Sequence, residues 1–312
     1  MPHSAPEELA LRWVPGGGPV TLKPLAAGLV NESYRVERDG RVYSMRLASD
    51  APELGVDREW ECRVLECAAR AGLAPAIACC EPSRGVLVAE WTGGHAWTAE
   101  ELRLPGNIRA LTGLLRRVHA LPVPSPARIM SPTAWIAHYG GAATRRAAAQ
   151  GGMQPAAASA AASAAAASAG LCGAANAYLE NLAAIPAAHP VLCHSDVHRL
   201  NVAAGERLVL LDWEYAHVSD PYWDLAAWIA NTDGTASFAA EVLAGYLERP
   251  ADGHESERLR LLTWLYDYVC LLWSELYLTQ RAGAPGCEVS ARATLLALRL
   301  HGGGRETQVP AH

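Results

Sequence analysis

Residues 190–230 read PVLCHSDVHRLNVAAGERLVLLDWEYAHVSDPYWDLAAWIA. A short apolar run leads into a polar loop, CHSDVHRLN. Two β-rich segments follow, with Gly205-Glu206 at the turn between them. A second polar loop, DWEYAHVSDP, ends in a helix starting near Asp224. A hairpin returns its second strand to the place where its first began. Asp212 is therefore expected close to Asn201, with Asp196 five residues earlier in the same loop.

Three oxygen-bearing side chains converging from two loops suit a hard divalent cation. Mg²⁺ takes one or two protein oxygens and fills the rest of its shell with waters and phosphates. Asn201 and Asp212 are the candidate ligands, and Asp196 is left free to accept a hydroxyl proton. Positioning, charge neutralisation and orientation of a nucleophile are what phosphoryl transfer needs. Taken singly, loop Asp and Asn residues usually satisfy turns. The joint pattern H-x-D-x-x-x-x-N, an eleven-residue spacing, then D-W-E is far more specific.

Working toward the N-terminus, residues 20–50 read as strands, broken at Ala26–Asn31 and turning at Asp39-Gly40, a strong hairpin signal. DREWECRVLECAARA (57–71) has Trp60, Val64, Leu65 and Ala68 at helical spacing, and Gly72 stops it. Two further strands follow Pro75, GVLVAEW (85–91) being the clearer. Strands, one helix and more strands describe a small α+β unit over residues 1–92. Gly93-Gly94 is a candidate hinge into residues 93–312, which read as mainly helical. Within them, 141–170 is Ala-, Ser- and Gly-rich and is expected to be a partly ordered helix.

CHSDVHRLN, LLDWEYA and DPYWDLA resemble the choline kinase, thiamine kinase and aminoglycoside phosphotransferase superfamily over roughly residues 20–280. That resemblance implies a bilobal protein-kinase-like fold, ATP and Mg²⁺ as cofactors, and a small-molecule hydroxyl acceptor. It implies Asp196 as base, His194 as brace of the catalytic loop, Asn201 and Asp212 as metal ligands, and Asp224 as the carboxylate holding that loop's backbone. Ser195 and Arg199 depart from the Gly or Asn and the Pro common at those positions. Gly28 and Asn31, in AAGLVNES, resemble the tip of the phosphate-covering loop. Arg46 stands where the phosphate-pairing Lys is found, with Glu61 as its partner and Glu59 as competitor. Glu90 and Trp91 end the strand that would present backbone groups to adenine.

For the acceptor, TWLYDYVCLLWSELYL (263–278) is rich in aromatics and acids. At helical spacing Trp264, Asp267, Tyr268, Leu271 and Glu275 share one face, and Tyr266, Cys270, Trp273 and Tyr277 the other. Aromatic faces with a carboxylate suit a cationic amine. A cationic amino alcohol such as choline, ethanolamine or thiamine is the expected substrate class, with Glu214, Tyr222, Trp264, Asp267 and Trp273 as candidate contacts. Trp91, Trp97 and Trp213 are alternatives. Trp273 resembles one Trp of the choline kinase cage, but Cys270 stands where a second is expected. An aminoglycoside or other antibiotic phosphotransferase is the alternative, followed by an inactive nucleotide-binding regulator.

Composition narrows the setting. Of 312 residues, 51% are hydrophobic and 19% charged, as in globular proteins. A net charge of −6 gives no reason to expect a nucleic-acid partner. No signal peptide or membrane span is evident. The 8 cysteines show no CxxC or zinc spacing, so reduced thiols in a cytoplasmic protein are expected.

Overall fold

At Asp39-Gly40 both residues are left-handed, with φ of 50° and 74°, and Arg38 pairs with Arg41 across the turn. That is the conformation a two-residue hairpin demands and Asp-Gly tolerates. The computed structural model describes residues 5–25, 31–48, 52–147, 155–280 and 287–302. Among them, helix α1 (Pro6–Trp13) precedes strands β1 (Val20–Pro24), β2 (Asn31–Arg38) and β3 (Arg41–Ala48). Helix α2 (Arg58–Arg70) follows, then β4 (Ile77–Glu81) and β5 (Val86–Glu90). These strands form one antiparallel sheet in the order β1-β2-β3-β5-β4.

Helix α1 had no counterpart in the sequence reading. Pro6 opens it, and its apolar Ala10 and the following Val14 pack on Val36, Tyr43, Met45 and Val88 of the sheet. Helix α2 begins where the Asp57 side chain accepts from the Trp60 amide at 2.9 Å. Trp60, fully buried, donates its indole N–H to Ala216 O at 2.7 Å, tying α2 to the C-terminal lobe.

One expectation is corrected here. Cys62 on α2 and Cys80 on β4 are disulfide-bonded, their Cα atoms 6.1 Å apart. Packing of α2 across β4 brings together residues that no sequence motif pairs. Cys67, Cys79, Cys172, Cys193 and Cys270 are free thiols.

Past Glu90 the chain changes partners. Strand β6 (His95–Ala96) pairs with Ala203 and Ala204, not with the first sheet. A Cβ at Gly94 would lie 2.6 Å from Ala204 O, so glycine permits this close backbone crossing. Helices α3 (Pro105–His119), α4 (Pro132–Ala147) and α5 (Pro155–Ala183) come next. The Ala-rich segment is thus helical at both flanks, 148–154 lying outside the described residues. Strand β7 (Val191–Cys193), the hairpin β8 (Val202–Ala204) and β9 (Leu208–Leu210), and β10 (His217–Ser219) then frame the two polar loops. Helices α6 (Tyr222–Asn231), α7 (Ala236–Leu247), α8 (Gly253–Gln280) and α9 (Cys287–His301) complete the C-terminal lobe. Leu265, Leu272 and Leu276 of α8 are buried in a core shared with Leu225 and Trp228 of α6 and Leu171 of α5. No helix among the described residues is long and apolar enough to cross a membrane.

Candidate active site

The two polar loops meet as the hairpin spacing predicts. Val202 pairs with Leu210, and the Leu211 amide donates to Asn201 O at 2.8 Å. Asp196, Asn201 and Asp212 consequently line one cleft of about 550 Å³ between the lobes. The Asn201 amide nitrogen donates to Asp196 O at 2.9 Å and to its Oδ2 at 3.0 Å. Its Oδ1 has no hydrogen-bond donor among the described residues.

Asp224, fully buried at the start of α6, anchors the loop that carries Asp196 from behind. Its carboxylate accepts from the His194 amide (2.9 Å), the Ser195 amide (2.6 Å) and His119 Nε2 (3.0 Å). Burial opposes its ionisation, but His119 and these donors hold its pKa below the ordinary value. Cys193 lies beside His119 and Asp224, and its thiol donates to Asp220 O at 3.3 Å, so hydrogen bonds account for all three side chains. His194 is fully buried against Trp213, and burial keeps its pKa low. As a neutral ring it donates from Nε2 to Leu211 O at 2.8 Å and accepts the Asp196 amide at Nδ1, 3.3 Å away. Ser195 has a φ of 71°, which explains why glycine suits that position. Its hydroxyl meets His217 Nδ1 at 2.9 Å.

Asp196 keeps its charge. Burial would raise its pKa, but His198, with Nε2 3.4 Å from Asp196 Oδ2, then His194 and Arg292 outweigh burial and lower it. His198 is raised in return, because the Asp196 carboxylate outweighs its own burial. His198 stands inside the quoted loop motif, yet nothing in the spacing separated it from an ordinary loop histidine.

A charged network spans the lobes above this loop. Arg46 contacts Glu61 Oε1 at 2.5 Å and Asp212 Oδ1 at 2.7 Å. Burial works against the guanidinium, but Glu61, Asp212 and Glu214 hold it firmly protonated. Glu61 is 2% exposed and also receives Arg58 at 2.9 Å, whereas Glu59 is exposed. Asp212 is pushed up to about 7, by burial first and then by Glu214, with Arg46 offsetting part of the rise. Carboxylates crowded this way, beside a free amide oxygen, form a donor set that an added divalent cation would relieve.

Several expected contacts lie elsewhere. Gly28 falls outside the described residues. Asn31, first residue of β2, lines the cleft, but its amide is engaged by Glu214 (2.8 Å) and Arg58 (3.0 Å). Glu214 also receives Arg58 at 2.8 Å, so it belongs to the inter-lobe network as well as to the cleft wall. The amides of Glu90 and Trp91 are donated to Ala76 O and Val42 O, so neither N–H is open to adenine. Tyr222 is buried edge-on against Tyr246, away from the cleft, and Trp223 lines it instead. Successive helix residues point about 100° apart, so one position decides which ring faces the site. Trp264 and Asp267 likewise line a separate cavity of about 350 Å³, where Trp264 stacks on Tyr178 at 4.1 Å and Arg299 pairs with Asp267 at 2.8 Å. The opposite face of α8, with Tyr266, Cys270 and Trp273, forms the cleft wall. Trp97 and Trp213 are buried in the core.

Two aromatic residues of that wall were not singled out from sequence. Trp135 of α4 sits in a stretch without any motif, and Tyr215 follows Asp212 in DWEY. Trp273 Nε1 donates to the Tyr215 hydroxyl at 3.0 Å, and the Trp135 and Tyr215 rings meet edge-on at 6.5 Å.

Residues 21–261 match the phosphotransferase enzyme family (APH). The chain belongs to that family. It is a small-molecule kinase that binds ATP and phosphorylates a hydroxyl. Solved structures agree on the fold. A choline/ethanolamine kinase family protein from Mesorhizobium loti superposes with a TM-score of 0.70 at 22% identity, covering 94% of this chain and 92% of that one. Choline kinase LicA from Streptococcus pneumoniae gives 0.67 at 19%, over 94% and 97%. The macrolide 2'-phosphotransferase MphH from Brachybacterium faecium gives 0.59 at 18%, over 92% and 96%. No curated protein matches the chain significantly.

Proposed function

We propose that this phosphotransferase moves the γ-phosphoryl group of ATP to the hydroxyl of a small amine-bearing alcohol, with residues 1–92 and 93–312 as its two lobes. The observation that carries this reading is the shared cleft: Asp196, Asn201, Asp212 and Arg46 lie on its floor and roof, and Trp135, Tyr215 and Trp273 on its wall. Aromatic faces attract a cation through their quadrupole, most strongly when desolvated.

In this reading the acceptor hydroxyl attacks the γ-phosphorus as the bond to the β–γ bridging oxygen breaks. Asp196, ionised and 24% exposed along its side chain, takes the hydroxyl proton. His194 and Asp224 hold the loop so that Asp196 faces the nucleophile. Arg46 supplies positive charge at the phosphate end. Asn201 Oδ1 and the Asp212 carboxylate would hold Mg²⁺, which would neutralise charge on the phosphate oxygens. A cytoplasmic setting, where ATP is abundant, accompanies this reading, and the Cys62–Cys80 disulfide pulls against it.

ADP release measured across choline, ethanolamine, thiamine, simple sugars and aminoglycosides tests the acceptor class. Turnover with an amino alcohol is expected. Phosphorylation of kanamycin and of no amino alcohol would move the assignment to antibiotic phosphotransfer. Tight Mg·ATP binding without turnover of any acceptor would favour a regulator, although base and metal ligands are all present.

A further inference from the structure

Helix α9 brings two opposite charges to the cleft. Glu288 and Arg292 are one helical turn apart and both line it. Such an i,i+4 pair on a free helix surface would normally meet. Here no ion pair joins them, and neither pairs with any other charged side chain among the described residues. Among the described residues Arg292 donates to the Asn231 amide oxygen, at 3.2 Å, and the Cys270 sulfur, at 3.8 Å. It lies close enough to Asp196 for its charge to help hold that carboxyl down. Arg46 and Arg199 line the cleft as well, and Arg46 is already committed to Glu61 and Asp212.

A guanidinium with no acidic partner among the described residues, exposed on α9 and lining the cleft that Asp196 also lines, is matched to an anion on the acceptor. Its planar fork takes a carboxylate through two parallel hydrogen bonds. The aromatic wall of Trp135, Tyr215 and Trp273, in a cleft that Glu288 also lines, suits a cation. Resting on the kinase reading of this cleft, we propose that the acceptor is a zwitterionic hydroxy amino acid whose carboxylate is recognised by Arg292. A plain amino alcohol leaves Arg292 unpaired. A site built for a charged hydrogen bond discriminates against ligands lacking it.

The test uses the full chain and matched acceptor pairs that differ by the carboxylate alone: serine with ethanolamine, homoserine with 3-aminopropan-1-ol, threonine with 1-amino-2-propanol. ADP release gives kcat/KM for each with the wild type, Arg292→Met and Arg292→Lys. In at least one pair the wild type should favour the amino acid. Arg292→Met should cut that preference about 10- to 100-fold, through the acceptor KM, and Arg292→Lys should restore part of it. The proposal is overturned if the decarboxylated member wins every pair, or if Arg292→Met lowers both members alike. It is also overturned if the substitution acts on the KM for ATP. Turnover of choline or kanamycin with every amino acid refused sinks the carboxylate alone and leaves the kinase reading standing. Failure of the wild type to bind Mg·ATP sinks both.

Discussion

Arg46 joins Glu61 on helix α2 to Asp212, just past the β8–β9 hairpin, one guanidinium nitrogen to each. A strand of the N-terminal lobe thus holds a helix of its own lobe and a carboxylate of the other. Arg46→Met should lower kcat/KM for ATP by about 100-fold or more, because both phosphate-end charge and the position of Asp212 are lost. Arg46→Lys should recover only part, since one ammonium cannot span two carboxylates as a fork does. Near-wild-type kinetics in Arg46→Met would remove Arg46 from the site.

Asp196→Asn should reduce kcat by about 100- to 10,000-fold while Mg·ATP still binds. The amide keeps the shape but takes no proton. Nucleotide affinity is read by titration calorimetry, turnover by ADP release. A mutant with normal turnover would exclude Asp196 as base.

Asp224→Asn should destabilise the protein by about 3 kcal/mol, since a fully buried acceptor of three N–H groups is replaced by one with half its acceptor capacity. Because those donors include the His194 and Ser195 amides, kcat should fall as well. Urea denaturation and turnover check the two effects, and an unchanged denaturation midpoint would contradict the buried-anchor role.

At Ser195 two effects oppose. The left-handed backbone costs a side-chain-bearing residue about 1 kcal/mol, and the bond to His217 returns about 1 kcal/mol. Ser195→Ala keeps the strain and loses the bond, whereas Ser195→Gly relieves the strain. The glycine variant should therefore denature at higher urea than the alanine variant. The reverse order would mean that the backbone there is not strained.

His217 is fully buried, and burial moves its pKa from 6.5 to about 4. Between those values the unfolded chain binds a proton that the folded one does not, so stability falls as pH falls through that window. About 2 kcal/mol should be lost between pH 7 and pH 5 from this residue. Denaturation at the two pH values should show a smaller loss in His217→Gln. An equal loss would assign the acid sensitivity to other groups.

Much of the site is legible because its residues are close in sequence. Asp196, Asn201 and Asp212 occupy two loops joined by one hairpin, so local pairing alone brings them together. For Arg46 the family resemblance implies Glu61 as partner with Glu59 as competitor, and it is Glu61 that Arg46 meets, at 2.5 Å. The aromatic wall of the cleft was not legible. Trp264 and Trp273 belong to one helix, and periodicity shows only that they face different ways. Which face looks into the cleft depends on where α8 packs against α5 and α6, whose contacts come from residues far along the chain.

The order of strands and helices, the two polar loops and the division into a sheet lobe and a helical lobe were written in residue periodicity and turn chemistry, which act over a few positions. Tertiary packing alone decided that Cys62 meets Cys80, that Trp223 rather than Tyr222 faces the site, and that α9 carries Glu288 and Arg292 to its rim. Such contacts depend on how whole elements are oriented about a shared core, and no short stretch of sequence encodes that orientation.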